Sequence, residues 1–231
     1  MENARSIGGR VMIGERLEVI RVGAEAVVSR LEWNGFKMVS KHRVPKPYRF
    51  PELDRLVRDR RTLHEARVIM NLRRLGIPCP AILLMDRSEA TLYLQLIEGV
   101  ELKKALDSLP VEEVERLANM LGRIVGRMHR GGIAHGDLTT SNIMLDRMEN
   151  LYLIDFGLST ITNDPEELAV DIHLLDRSLE SVHHRLRAVF MRSFLKGYAA
   201  AAGMDFLQAL IEKVKEIRSR GRYVEERRKR Y

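Results

Sequence analysis

The apolar and polar positions alternate first in the rhythm of strands. Val27, Val28, Leu31 and Trp33 lead up to Asn34-Gly35, and Phe36, Met38 and Val39 follow it. Asn-Gly between two such runs favours a tight hairpin turn, because both residues accept positive φ. The pattern therefore predicts strands over Val27 to Trp33 and Phe36 to Lys41, with an earlier strand ending in the small-residue turn Val22-Gly23-Ala24-Glu25-Ala26. From Pro51 to Leu75 the period lengthens. Leu53, Leu56, Leu63, Ile69 and Leu72 recur at helical spacing, and Gly76 stops the helix. Leu92-Tyr-Leu-Gln95-Leu-Ile97-Glu98-Gly99 returns to a strand that runs into a glycine. Beyond Glu101 helices dominate. Pro110 to His129 lines up Val114, Leu117, Leu121, Ile124, Val125 and Met128 before Gly131-Gly132 ends it. Two short apolar runs, Ile143 to Leu145 and Leu151 to Ile154, flank Asp146 to Asn150 as a hairpin would. The expected fold is α+β and two-lobed. An antiparallel sheet with one long helix occupies residues 1–94, a hinge or plain linker 95–100, a mainly helical half 101–220 and a basic tail 221–231.

Composition narrows the class. The chain has 231 residues, 45% of them hydrophobic, enough to build a core for one larger domain or two lobes. Glu2, Arg5 and Arg10 open it with no apolar run, so no secretory signal is expected, and no stretch approaches the length needed to cross a bilayer. A cytoplasmic protein without a membrane partner is expected. Cys79, the single cysteine, sits between Pro78 and Pro80, where it has no disulfide partner and no metal-binding spacing, and reads as a small apolar filler. His173, His183 and His184 lie on charged helical segments and read as solvated. Charge is uneven. From Lys213 onward nine Lys or Arg face three Glu, so six of the seven net positive charges lie at that end. Such a tail is either an electrostatic footprint for nucleic acid, with Tyr223 and Tyr231 available to stack on bases, or a solvated charged end.

The stretch that carries chemistry is His135-Gly-Asp-Leu-Thr-Thr-Ser-Asn142 followed by Leu153-Ile-Asp155-Phe-Gly157. A phosphoryl group leaving ATP spreads charge over its oxygens, so a site must hold magnesium and orient the attacking oxygen. In the kinase template an Asp of the catalytic loop accepts the nucleophile's proton. An Asn five residues on and the Asp of Asp-Phe-Gly hold the metal. Asp137, Asn142 and Asp155 have that spacing, with Asp137 as base and Asn142 and Asp155 as magnesium ligands through hard oxygens. The template also needs a lysine on the phosphates and a helix-borne carboxylate to hold it. Lys41 closes the third strand, and Glu65 lies inside the helix that follows. Gly23, Ala24 and Glu25 stand where a longer glycine-rich loop would cover the phosphates. With one glycine, the turn reads either as that cover or as a simple connection between strands. Gln95 and Ile97 fall in the hinge, whose backbone would bond the adenine edge.

Taken together, His135-Gly-Asp-Leu-Thr-Thr-Ser-Asn, the run Lys41-His-Arg43-Val-Pro-Lys46-Pro-Tyr48-Arg49-Phe-Pro-Glu-Leu-Asp54, the single-glycine turn at Gly23 and Ala169-Val-Asp171 resemble the small atypical kinase/ATPase subunit of the KEOPS complex, over nearly the whole chain. The basic run discriminates most, since generic kinases lack it. The short stand-alone form looks archaeal. The resemblance implies a minimal protein-kinase-like fold that binds ATP and magnesium. It implies a serine/threonine kinase or ATPase that binds and stimulates a threonylcarbamoyl transferase subunit acting on tRNA, with other KEOPS subunits as further partners. It also suggests that Asp171 holds the catalytic loop from below, the alternative being an ordinary helix acid. The family ends in a short Arg-Gly-Arg-Lys-Arg-like tail, whereas here Arg220-Gly221-Arg222 is followed by nine further residues.

Two features set the chain apart from regulated kinases. Gly136 stands where many carry the arginine that reads a phosphorylated activation loop. Only Leu158 to Leu168 separates Asp155-Phe-Gly from the helical pattern bearing Asp171, with no Ala-Pro-Glu to close a peptide platform. Two functional classes follow: an enzyme that hydrolyses ATP or phosphorylates itself or a partner, and a nucleotide-gated scaffold. A RIO-type ribosome-assembly kinase and a small-molecule phosphotransferase are the runners-up, disfavoured by the Lys41 to Asp54 run.

Overall fold

The computed structural model describes the backbone of residues 6–7, 10–11 and 13–228 and the side chains of residues 13–220. The tail side chains, Tyr223 and Tyr231 among them, and those of Glu2, Arg5 and Arg10 lie outside the described residues. The chain divides into two compact units, residues 1–70 with 80–97, and residues 71–79 with 98–231.

In the first unit β1 (Ser6–Ile7) and β2 (Arg10–Val11) form a short antiparallel pair. The main sheet follows, made of β3 (Glu15–Val22), β4 (Ala26–Trp33), β5 (Phe36–Arg43), β6 (Ile82–Asp86) and β7 (Thr91–Gln95), antiparallel throughout, in the order β3-β4-β5-β7-β6. Asn34 and Gly35 both take positive φ, which lets Trp33 pair with Phe36 across the β4–β5 hairpin. Leu31, Met38 and Tyr93 form a buried cluster on this sheet, with Ile13 packed against it. Helix α1 (Pro51–Arg74) follows β5 and ends at Gly76, whose φ is +67°.

In the second unit β8 (Gly99–Glu101), β10 (Ile143–Asp146) and β11 (Leu151–Leu153) form a small sheet in the order β11-β10-β8, and β9 (Ile133–Ala134) pairs with β12 (Thr160–Ile161). The helices are α2 (Leu102–Ala105), α3 (Val111–Arg130), α4 (Pro165–Val182), α5 (Arg187–Ala202) and α6 (Met204–Arg228). Helices α3 and α5 cross at backbone-to-backbone distance. A Cβ on Gly122 would stand 2.0 Å from the Phe194 carbonyl, and one on Gly197 the same distance from the Asn119 carbonyl. Around that crossing Leu117, Leu121, Val125, Phe190, Phe194 and Tyr198 are buried. Residues 71–79, which the apolar pattern places in the first lobe, cluster with the second unit. The Leu153 amide donates to the Pro78 carbonyl at 3.0 Å, and Leu75 covers Gly131.

Asp164 caps α4 by accepting from the Glu166 amide, with Pro165 in the first turn. At the other end His183, expected to be solvated, is buried instead. It sits where the chain turns out of α4, its backbone carbonyl accepting from Leu186 and Arg187, and its Nδ1 lies 2.9 Å from Asp107. Among the described residues no helix is long and apolar enough to cross a membrane.

Candidate active site

The first unit gathers two cations around one carboxylate. Lys41 lies on β5 between β4 and β7, opposite Val28 and Leu92, and its ammonium donates to Glu65 Oε1 at 2.7 Å. Arg43 is two residues on, so the pleat turns it to the same side of the strand, and its Nη2 donates to Glu65 Oε2, also at 2.7 Å. Glu65 is 1% exposed, and the two cations that flank it are buried as well. Removing either partner from such a group leaves uncompensated charge in a dry environment. The sequence reading placed Lys41 and Glu65 and missed Arg43 as their companion. The alternation Lys41-His-Arg43 ahead of an acid-bearing helix is the signal that carried it.

The single-glycine turn is tied down on three sides. The Gly23 amide donates to the Ala26 carbonyl at 2.9 Å, and the Val44 amide to the Glu25 carbonyl at 3.2 Å. Glu25, expected at the nucleotide, pairs with Arg61 of α1, and that guanidinium holds its carboxyl below the usual range. The ammonium of Lys46 donates to the Ala24 carbonyl. The basic run 41–54 is anchored by Asp54, 3% exposed, which accepts from Arg58 Nε at 2.6 Å and from the Lys46 amide at 3.2 Å, with Arg49 at 3.6 Å. At the end of β7 Gln95 is turned back on Ala81, through its own amide at 2.8 Å and through its side chain, which accepts from the Ala81 amide at 3.2 Å. Ile97 is 8% exposed.

The second unit holds the acids. Asn142, 2% exposed, donates through Nδ2 to both the backbone oxygen of Asp137, at 2.9 Å, and its carboxylate Oδ2, at 2.8 Å. The other end of that amide, Oδ1, is buried with no hydrogen-bond partner among the described residues. Asp155 adopts φ +65°, a left-handed conformation that costs a non-glycine residue about 1–2 kcal/mol and that marks functional positions. Its carboxylate accepts from the Gly157 amide at 3.4 Å.

Asp171 holds the loop that bears Asp137. Its Oδ2 accepts from the His135 amide at 2.6 Å and its Oδ1 from the Gly136 amide at 2.8 Å. His129, at the end of α3, places Nε2 3.1 Å from the same carboxylate and Nδ1 2.8 Å from the Tyr198 hydroxyl of α5. Burial pushes the Tyr198 phenol up, so it keeps its proton and donates. An imidazole protonated on Nε2 then satisfies both neighbours. His129 and Tyr198 went unread in the sequence because one looks like a helix-end charge and the other like core filler.

His135 lies within the loop, its Nε2 3.1 Å from the Ile154 carbonyl and its Nδ1 accepting from the Asp137 amide at 3.3 Å. Burial lowers its pKa from 6.5 despite the pull of Asp171. The unfolded chain therefore takes up this proton first, so the stability contribution of neutral His135 is complete above about pH 6.5 and is lost as pH falls below it. His173 shifts the same way, through burial and then Arg218. The lowered carboxylates Glu25, Asp54 and Asp59 start from 3.8 to 4.5 and act only below that range. Urea unfolding should therefore show stability falling between about pH 7 and 5, with a smaller fall in His135→Gln than in the parent. Equal slopes would remove His135 as the cause.

The donor set fits magnesium better than a tightly caged metal. One carboxylate, Asp155, and one buried amide oxygen lacking a partner, Asn142 Oδ1, offer the hard oxygens that a small cation takes while phosphates and water complete its shell. Among the described residues no cluster of three His, Cys, Asp or Glu could hold a metal by itself.

The sheet-and-helix first unit, the mainly helical second unit and this loop chemistry define a protein-kinase-like chain, and the protein kinase domain model matches residues 36–176. The chain is 38% identical over 215 residues to KEOPS complex subunit Bud32 of Pyrococcus abyssi, covering 90% of this chain and 97% of that protein. It is 37% identical to EKC/KEOPS complex subunit Tp53rkb of Mus musculus, covering 89% and 87%. A probable bifunctional tRNA threonylcarbamoyladenosine biosynthesis protein of Methanosarcina acetivorans is 42% identical over 91% of this chain but only 36% of its own length. The chain belongs to the Bud32 family of kinase-like KEOPS subunits.

Proposed function

We propose that this chain binds magnesium-ATP and acts as the ATP-dependent kinase/ATPase subunit of a tRNA-modifying complex in the cytoplasm, stimulating a threonylcarbamoyl transferase partner. The observation that carries the nucleotide part is Asn142. Its amide is locked on Asp137 while its buried carbonyl oxygen is left without a partner, the state expected of a ligand arm awaiting a cation. In this reading Asp137 accepts the proton of the attacking hydroxyl or water, and Asn142 and Asp155 hold magnesium, which neutralises phosphate charge when bound. Lys41, fixed by Glu65, contacts the phosphates. Gly23, Ala24 and Glu25 flank them, and the backbone around Gln95 and Ile97 meets the adenine. The names of the relatives support the tRNA part, and the excess of Lys and Arg from Lys213 onward supplies positive charge for RNA.

The acceptor is water, the chain itself or a bound partner rather than a peptide docked on a platform. β12 of the short segment after Gly157 is paired to β9, which leaves little chain to present a substrate. Slow ATP turnover alone, rising on addition of the transferase subunit and tRNA, is the expected result of a phosphate-release assay. Brisk phosphorylation of unrelated peptides with no response to partner or tRNA would overturn the proposal. Full tRNA modification by a complex carrying Asp137→Asn would reduce the chain to a nucleotide-gated scaffold.

A further inference from the structure

We propose that Lys46 is a phosphate ligand of the nucleotide site, supplying at the β3–β4 turn the positive charge that a glycine-rich loop supplies through backbone N–H groups. This rests on the nucleotide reading above. The turn cannot offer its first amide, because the Gly23 N–H is spent on the Ala26 carbonyl. A loop with one glycine thus loses part of the backbone cradle on which phosphate binding by such loops depends. Charge must come from side chains instead.

The surroundings hold that charge in excess. Lys41, Arg43, Lys46, Arg49, Arg58 and Arg61 gather about the turn, the run after β5 and the neighbouring helix, and three carboxylates, Glu25, Asp54 and Glu65, answer them. Glu65 is shared by two cations and Glu25 is taken by Arg61. Lys46 has no carboxylate partner among the described residues. Its ammonium rests on the uncharged Ala24 carbonyl, a contact that one arriving phosphate oxygen replaces with a charge-assisted one. Its backbone is already fixed. Pro45 and Pro47 flank it, its amide donates to Asp54 at 3.2 Å, and its carbonyl accepts from Arg49 at 3.1 Å. Binding then orders a side chain alone, which lowers its entropic cost. An ammonium on a four-carbon stem suits the role, since it reaches phosphate as a mobile point charge.

The alternative is that Lys46 merely braces the turn, and the two differ in what they do to ATP compared with adenosine. Titration of the full chain with ATP and with adenosine, in magnesium, separates them. Lys46→Ala should weaken ATP by roughly tenfold to a hundredfold, the worth of a hydrogen bond to a charged group, and leave adenosine unchanged. Lys46→Arg, which keeps the charge, should recover most of the ATP affinity. An equal loss for both ligands, or none for either, overturns the assignment while leaving nucleotide binding intact. A parent chain that binds neither ligand overturns the nucleotide reading, and this proposal with it.

Discussion

Asp137→Asn is expected to leave magnesium-ATP affinity within a few fold of the parent and to lower turnover by roughly 10² to 10⁴, the usual worth of a general base, or about 3 to 5 kcal/mol of barrier. The geometry supports a clean loss. The side chain meets Asn142 Nδ2 through a carboxylate oxygen, and an asparagine still presents an oxygen there, so the loop should keep its shape while the proposed proton acceptor is lost. Asp155→Ala should fail differently. It removes a carboxylate proposed above to hold magnesium, so magnesium-dependent nucleotide binding itself should weaken. Isothermal titration with and without magnesium, beside a phosphate-release assay, compares the two. Identical behaviour of the variants would defeat the division of roles.

The second large effect is on stability. Gly136 has φ +78°, and a Cβ on it would lie 2.1 Å from the Leu158 carbonyl. Gly136→Ala therefore incurs left-handed strain and a clash with backbone, together roughly 2 to 6 kcal/mol. Gly35→Ala is the control, since φ is +79° there with nothing within 4 Å, so only the strain of about 1–2 kcal/mol applies. Urea midpoints should rank the parent above Gly35→Ala and that above Gly136→Ala. Equal costs for the two would mean that Leu158 yields freely. The clash also explains why the arginine of regulated kinases is missing. The segment after Asp155-Phe-Gly packs its backbone onto the space that such a side chain would need.

The legible parts of the fold were those written locally. Asn34-Gly35 specified its hairpin because the turn depends on two adjacent residues. The apolar period from Pro51 located α1 to within a residue or so, and Gly131-Gly132 closed α3. That Asp137 and Asn142 meet was readable because five residues of one loop set their distance. What stayed hidden was long-range. The hydroxyl of Tyr198 reaches His129 across 69 positions, and nothing near either residue records it. Arg43 was read only as part of a basic run because its partner lies 22 residues away on another element. His183 looked solvated from its charged neighbours, while its burial depends on how the chain leaves α4.

The glycine-lined crossing of α3 and α5 also ties the candidate residues of the second unit to the packing of its helices. Everything the second unit contributes to the candidate site, from His135 through Asn142 and Asp155 to Asp171, belongs to the stretch of chain that this crossing closes into a loop. Closing a loop of that length costs entropy that the contacts of the crossing must return, so the stability of the crossing is shared with what it encloses. The Asp171 carboxylate that holds the amides of His135 and Gly136 also meets His129, which in turn meets Tyr198 of the crossing. A change that opens the crossing should therefore disturb the loop that bears Asp137 even where the motif itself is untouched.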